Sequence, residues 1–442
     1  MAKKTSSGQF EYIITKSGEG MICGISCGTS DTLVVPDEID GVKITSIAYP
    51  FPAYRNIKHI IISDGIAKIP DGFLKNNCYI ESVRWPSSCP VIPSLCFHSC
   101  SSLEKIENLD NVRVIGGEAF AYSSITMLDL HDTCIKTINK KAFRGSCISN
   151  ISWPKECICI PEKCFFDSAL ESISGIEGVK YIGCYAFNNS NLSGELDLSN
   201  TNIEEIEEGA FYNCHALDRV VWPAQCTDIP SSCFYSTRLT SIANINKVEF
   251  IGEYAFAYTG ISRLDLSKTE VEYVGGWAFF SCTALKEVIW NKSCTVIPSF
   301  CFASCDALHS INNVESVKTI QSSAFEGCGF VSLNLQKSFP NVEYIGKGAF
   351  QKSFLLKSIV WPPSVPIVND DMFCECNMLS TIENLNTVLE IGPNAFACTS
   401  LDSVDLSSSL IGKIDQTSFE GCNLKNFVPP YYVDCGSDNQ EG

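Results

Sequence analysis

Between residues 217 and 234, Leu217, Val220, Trp222, Ile229 and Phe234 mark a pattern that returns along most of the chain. Val220 and Trp222 alternate across one residue, as in a short strand with a single buried face. Pro223 then stops ladder pairing, Ile229 re-enters the core, and Phe234 closes the unit. The same frame holds at Ile125, Leu128 and Leu130, and at Leu285, Val288 and Trp290. The closing Phe recurs every 22 to 25 residues, at Phe73, Phe97, Phe120, Phe143, Phe165, Phe187, Phe211, Phe234, Phe256, Phe279, Phe302, Phe325, Phe350, Phe373, Phe396 and Phe419. A fixed period in this range marks a solenoid, in which each repeat forms one coil against its neighbours.

A slower period lies above the first. Trp85, Trp153, Trp222, Trp290 and Trp361 recur every 68 to 71 residues, which is three coils. Leu128, Leu196, Leu264, Leu333 and Val404 open a second coil type, in most copies as Leu-Asp-Leu. A third type carries Asn108, Gly175, Asn244, Asn313 and Asn384, where an Asn is suited to satisfy backbone groups of the adjacent coil at a turn. The predicted architecture is an α/β repeat solenoid of about 16–17 coils of ~23 residues, in five three-coil blocks. Strands form a parallel sheet on one side, and short, mostly irregular segments run along the other. Phe97, Phe120, Phe165, Phe187, Phe211, Phe256 and Phe302 are predicted core, with Trp85, Trp153, Trp222, Trp290 and Trp361. Each buried Phe contributes roughly 1.5–3 kcal/mol. Residues 1–56 break the frame and are expected to form an N-terminal cap with a small hairpin. Residues 57–427 are the array, and 428–442 a C-terminal cap and flexible acidic tail.

These residues resemble the BspA-like branch of the leucine-rich repeats, whose pattern is similar to Leu-x-x-Ile-x-Ile-Pro-x-x-Val-x-x-Ile-Gly-x-x-Ala-Phe-x-x-Cys. Residues 308–328 and 379–396 follow it closely, and Leu33, Val34, Val35 and Pro36 resemble the lead-in of such proteins. The resemblance implies a right-handed superhelix with its sheet on the concave side. It also implies adhesion or binding of host proteins at a cell surface.

The formal net charge of −18 argues against nucleic acid and against an anionic membrane surface. No stretch approaches the ~18 apolar residues of a membrane span, and residues 5–20 lack the apolar segment of an export signal. Localisation therefore stands open between the surface that the resemblance implies and the cytoplasm. With five His, none recurring beside a nucleophile or carboxylate, and no phosphate-binding loop, the expectation is no enzyme, cofactor or metal. His98 and His309 lie near Cys100 and Cys305, but these cysteines occupy core positions.

Of 25 cysteines, one subset stands seven apart in the Trp coils: Cys89 and Cys96, Cys157 and Cys164, Cys226 and Cys233, Cys294 and Cys301. In the fifth Trp coil Val365 and Met372 replace both. This pattern suggests contact across the coil, as packed thiols or as a disulfide.

The residue between the last two core positions of each strand faces outward. This gives Asp129, Asp197, Asp265, Asn334 and Asp405 in one coil type, Arg84, Ser152, Val221, Ile289 and Val360 in the Trp coils, and Glu107, Ser174, Ala243, Asn312 and Glu383 in the third. Coils of one type recur about 15 Å apart at ~4.8 Å per strand, too far for a shared metal ion. The predicted use is binding of a protein partner across several coils, by a chain taken as monomeric. An intracellular scaffold for a protein complex or cytoskeletal assembly is the alternative.

Overall fold

A computed structural model describes residues 4–26, 28–48 and 50–430 of the 442. The chain is a parallel β-solenoid of about 18 turns with almost no helix. It divides into two compact units between Leu217 and Asp218.

Each coil carries a long strand, usually of three residues, a second strand of two, and a turn segment around the frame Phe. The long strands pair in parallel within the three-coil block. In the first unit Leu128 lies beside Ile151 and Ile151 beside Ile173. In the second, Leu264, Val288 and Ile311 align in the same way, as do Leu333, Ile359 and Ile382. The three-coil sequence period is thus also the hydrogen-bonding period of these sheets. Among the described residues the helical content is one turn, Leu335–Ser338, whose N-cap Asn334 accepts the Lys337 N–H on Oδ1 at 2.9 Å. It falls in the longest repeat, the 25 residues from Phe325 to Phe350, and takes up the extra length.

The turn segments solve the backbone problem without strand or helix. The residues two before and two after a frame Phe have left-handed backbone, as at Tyr254 (φ 55°) and Tyr258 (φ 61°) around Phe256. Tyr254, Phe256 and Tyr258 donate their N–H groups to the carbonyls of Gly276, Ala278 and Phe280 of the next coil, at 3.2, 2.8 and 2.8 Å. The N–H groups between them turn back three residues: Ala255 to Gly252, Ala257 to Tyr254, Thr259 to Phe256. Each backbone N–H from Tyr254 to Thr259 is thereby satisfied. Coils pack closely enough here that a Cβ on Gly252 would meet Ser231 N at 2.4 Å, which accounts for the recurrent Ile-Gly.

The frame Phe rings stack along each unit. Centroids are 5.2–5.5 Å apart from Phe97 to Phe211, and 5.3–5.9 Å apart from Phe234 to Phe419. Each Trp meets its frame Phe edge-on, at 5.8–6.0 Å. All five indoles are fully buried, and each Nε1–H donates to the carbonyl four residues on, as Trp290 does to Cys294 at 3.1 Å.

One frame position is shifted. Leu74 N donates to Cys96 O just as Phe97 N donates to Ala119 O, so Leu74 holds the frame and Phe73 lies one residue off it. Phe73 packs edge-on against Phe51 at 6.1 Å instead.

At the N-terminal end a five-stranded sheet joins Lys4–Ser7, Phe10–Ile14, Gly20–Ile25, Val42–Ile47 and Glu38–Ile39. Thr32–Val35 pairs in parallel with His59–Ile62, so the long-strand sheet starts inside the segment assigned to the cap. Asn426–Val428 pairs in parallel with Ser403–Asp405 at the other end. Of the expected C-terminal cap and acidic tail, 428–442, residues 431–442 lie outside the described residues.

Candidate functional site: the outer rows of the long-strand sheet

The residues singled out on the sheet fall into in-register rows, one row to a block. Asp265, Ile289 and Asn312 stand side by side, as do Asn334, Val360 and Glu383. Asp129 lies beside Ser152, Val221 beside Ala243, and Asp405 beside Val428. Arg84 lies between Ile61 and Glu107. Val221, Ile289 and Val360 are half-buried, each on the middle coil of its block, while the Asp and Asn residues are exposed. The strand pairing that aligns these residues runs within a block, so each row is short and mixed.

The acidic residues have a local task. Oδ1 of Asp197, Asp265 and Asp405 accepts the N–H two residues on, from Ser199, Ser267 and Ser407, at 2.8, 3.1 and 2.9 Å. Asp129 does the same for His131 at 3.2 Å. These turns close the strand ends. Hydrogen bonds from the following serines hold Asp197, Asp265 and Asp405 below the usual carboxylate range. Arg84 pairs at 3.5 Å with Asp64, whose carboxylate also accepts from Ser87 N at 2.9 Å.

In the third coil type Asn108, Asn244, Asn313 and Asn384 have φ between 61° and 71°. Each donates its Nδ2 to the carbonyl of the Trp one coil earlier, at 2.6–2.7 Å. Gly175 takes the same place with φ 73°, and a Cβ there would meet Trp153 O at 2.8 Å.

Cys89, Cys96, Cys157, Cys164, Cys294 and Cys301 are free, buried thiols, and Cys226 and Cys233 are also buried. The first cysteine of each pair supplies the carbonyl that the Trp indole binds, a task Val365 performs equally for Trp361. Its thiol donates to a backbone carbonyl, from Cys89 to Val91 and from Cys294 to Val271 at 3.3 Å. Burial pushes Cys294 up to about 11 and holds Cys96, Cys164 and Cys301 well above the ordinary thiol value.

A second set, three residues after the frame, donates one coil back: Cys282 to Phe256 O, Cys305 to Phe279 O and Cys328 to Phe302 O, at 3.1–3.2 Å. Cys100, pushed up to about 12 by burial, and Cys305, raised well above the ordinary value, are poor nucleophiles despite His98 and His309 nearby in sequence. His98 hydrogen-bonds Ser99 Oγ at 3.0 Å, and His309 contacts Lys286 O at 2.6 Å. Among the described residues no group of three or more His, Cys, Asp or Glu is placed to hold a metal ion. No helix among them is long and apolar enough to cross a membrane.

The structure also displays residues that the outward rows do not include. Tyr254, Trp277 and Phe300 form a half-exposed stack on the turn segments of the second unit. Their common place, two residues before the frame Phe, is visible in the sequence, but only the left-handed backbone there shows that it points the side chain outward.

Parallel coils, each with a strand on one side and a Phe-centred turn on the other, define a leucine-rich-repeat solenoid. The model of the BspA type leucine rich repeat region (6 copies) matches residues 32–136, 136–262, 227–343 and 335–434, and the chain belongs to this family. Among solved structures it is similar to a leucine-rich repeat protein from Bacteroides ovatus, at 18% identity over 96% of this chain and 99% of that one, with a TM-score of 0.51. A leucine rich cell surface protein from Faecalibacterium prausnitzii aligns at 20% identity over 87% and 95%, TM-score 0.45. The pneumococcal vaccine antigen PcpA aligns at 15% identity over 97% and 99%, TM-score 0.40. No curated protein matches the chain.

Proposed function

We propose that the chain is a non-enzymatic protein-recognition solenoid, acting at a cell surface and meeting host or partner proteins with the outer rows of its long-strand sheet. The carrying observation is the row built by each block, such as Asp265, Ile289 and Asn312: a half-buried apolar side chain flanked by polar ones on rigid strands. Rows of this kind suit a protein surface spanning several coils better than a small molecule. The surface location rests on the family resemblance.

An intracellular scaffold is the second reading. Its specific support is the set of free thiols that donate to backbone carbonyls, an arrangement at home in a reducing compartment. Labelling intact and then permeabilised cells with an antibody to the folded array separates the two. Signal on intact cells supports the surface reading; signal only after permeabilisation overturns it in favour of the scaffold.

A further inference from the structure

The aromatic patch on the second unit is used by nothing described above. Tyr254, Trp277 and Phe300 occupy the same position in three successive coils, with φ of 55°, 55° and 56°. Other coils place Ser232, Ser323, Gly348 or Asn394 there. The left-handed backbone at this place is common to the coils; what sets these three apart is that successive coils fill it with large rings.

The three rings stack, Tyr254 on Trp277 at 5.3 Å and Trp277 on Phe300 at 4.8 Å, with planes within 13° of parallel. Around the corner of the same coils, Phe250 and Tyr273 stack at 4.9 Å and are 36% and 50% exposed. Aromatic residues presented in this way are typical anchors of protein interfaces.

The charges around the patch say what it takes. The turn segments 231–236, 253–258, 276–281 and 299–304 contain no Lys or Arg. Glu249, Glu253 and Glu272, all exposed, directly precede Phe250, Tyr254 and Tyr273 in the chain. The first unit treats its own turn aromatics differently. There Arg144 lies over Tyr122 and Phe166, at 5.7 and 5.3 Å, and Lys163 lies over Tyr185 at 5.8 Å. Among the described residues no such cation contact is made to Tyr254, Trp277 or Phe300.

We infer that this patch docks an exposed Arg- or Lys-rich segment of a partner protein, whose cations take the place that Arg144 and Lys163 hold in the first unit. Guanidinium and ammonium groups meet the aromatic surface, and the three carboxylates pair with what the rings leave over. The surface is separate from the long-strand rows and stands or falls without them.

The probe is a fluorescein-labelled nona-arginine peptide, titrated into the full chain at physiological ionic strength and followed by anisotropy. Trp277→Ser and Phe300→Ser leave the net charge unchanged, and Ser is the native residue at Ser232 and Ser323. Each is expected to weaken binding about tenfold, the loss that a well-placed cation–aromatic contact implies. A Val221, Ile289, Val360 triple change to Ser should leave it unaltered.

Trp85, Trp153, Trp222, Trp290 and Trp361 are fully buried, so acrylamide quenching in the unaltered protein reads chiefly Trp277. Bound peptide should shield it. Absence of binding, binding equally tight in both Ser variants, or quenching unchanged by the peptide overturns the proposal, the last two marking attraction to net charge alone.

Discussion

Alkaline pH should unfold this chain through its buried thiols. Cys100, Cys214 and Cys376 donate to the carbonyls of Leu74, Phe187 and Phe350, at 3.1, 3.0 and 3.2 Å. Burial pushes each from the ordinary 9.0 up to about 12. A folded value above the unfolded one means that the stability is complete below pH 9 and is lost as pH rises towards 12. In that window the unfolded chain releases protons that the folded chain keeps. At pH 10 the loss is on the order of 1–2 kcal/mol per thiol, or about 4 kcal/mol for the three. Cys96, Cys164, Cys301, Cys305 and Cys328, all held well above the ordinary value, act in the same direction.

The assay is reversible urea unfolding followed by circular dichroism, under reductant, at pH steps from 7 to 10. Ser353 fills the equivalent position in its own coil, where its Oγ donates to Phe325 O at 3.4 Å, so serine fits there. Replacing Cys100, Cys214 and Cys376 by Ser should therefore return about 4 kcal/mol of the pH 10 loss. Stability that stays flat from pH 8 to 10, or falls as steeply in the triple variant, would refute the buried neutral thiols.

Two further changes probe the core and the turns. Phe256→Ala removes a ring stacked at 5.5 Å on Phe234 and 5.3 Å on Phe279, and should cost about 3–5 kcal/mol, read as a lowered urea midpoint. Asn244→Ala loses both the donor to Trp222 O and a residue type that tolerates φ 62°, for about 1–2 kcal/mol. Asn244→Gly should cost less, since Gly175 serves at that place in another block.

The coil frame was legible because burial imposes a period on large residues, and the Trp period gave the three-coil block that the sheets reproduce. The Asx turns were legible in principle, since Asp197-x-Ser199, Asp265-x-Ser267 and Asp405-x-Ser407 share one spacing, yet solvent-facing Asp alone reads as a solvated face. The turn ladder was not legible. Its left-handed positions are filled by Tyr254, Lys141 and Glu118 as readily as by Gly209, because hydrogen bonds to the next coil, and not local preference, set the backbone there. The aromatic patch depends on that ladder and stayed hidden with it. The shift from Phe73 to Leu74 escaped for a similar reason: both are buried and apolar, and only the pairing with Cys96 separates them.

The most direct measurement compares the folded array with a variant carrying Asp at Val221, Ile289 and Val360 for retention of a purified partner on an immobilised surface. These side chains are half-buried at the sheet surface and are not in the Phe column, so near-ultraviolet circular dichroism should be unchanged. The account predicts that the partner is held by the native rows and released by the variant. Equal retention by a variant with native dichroism would contradict recognition through the long-strand sheet.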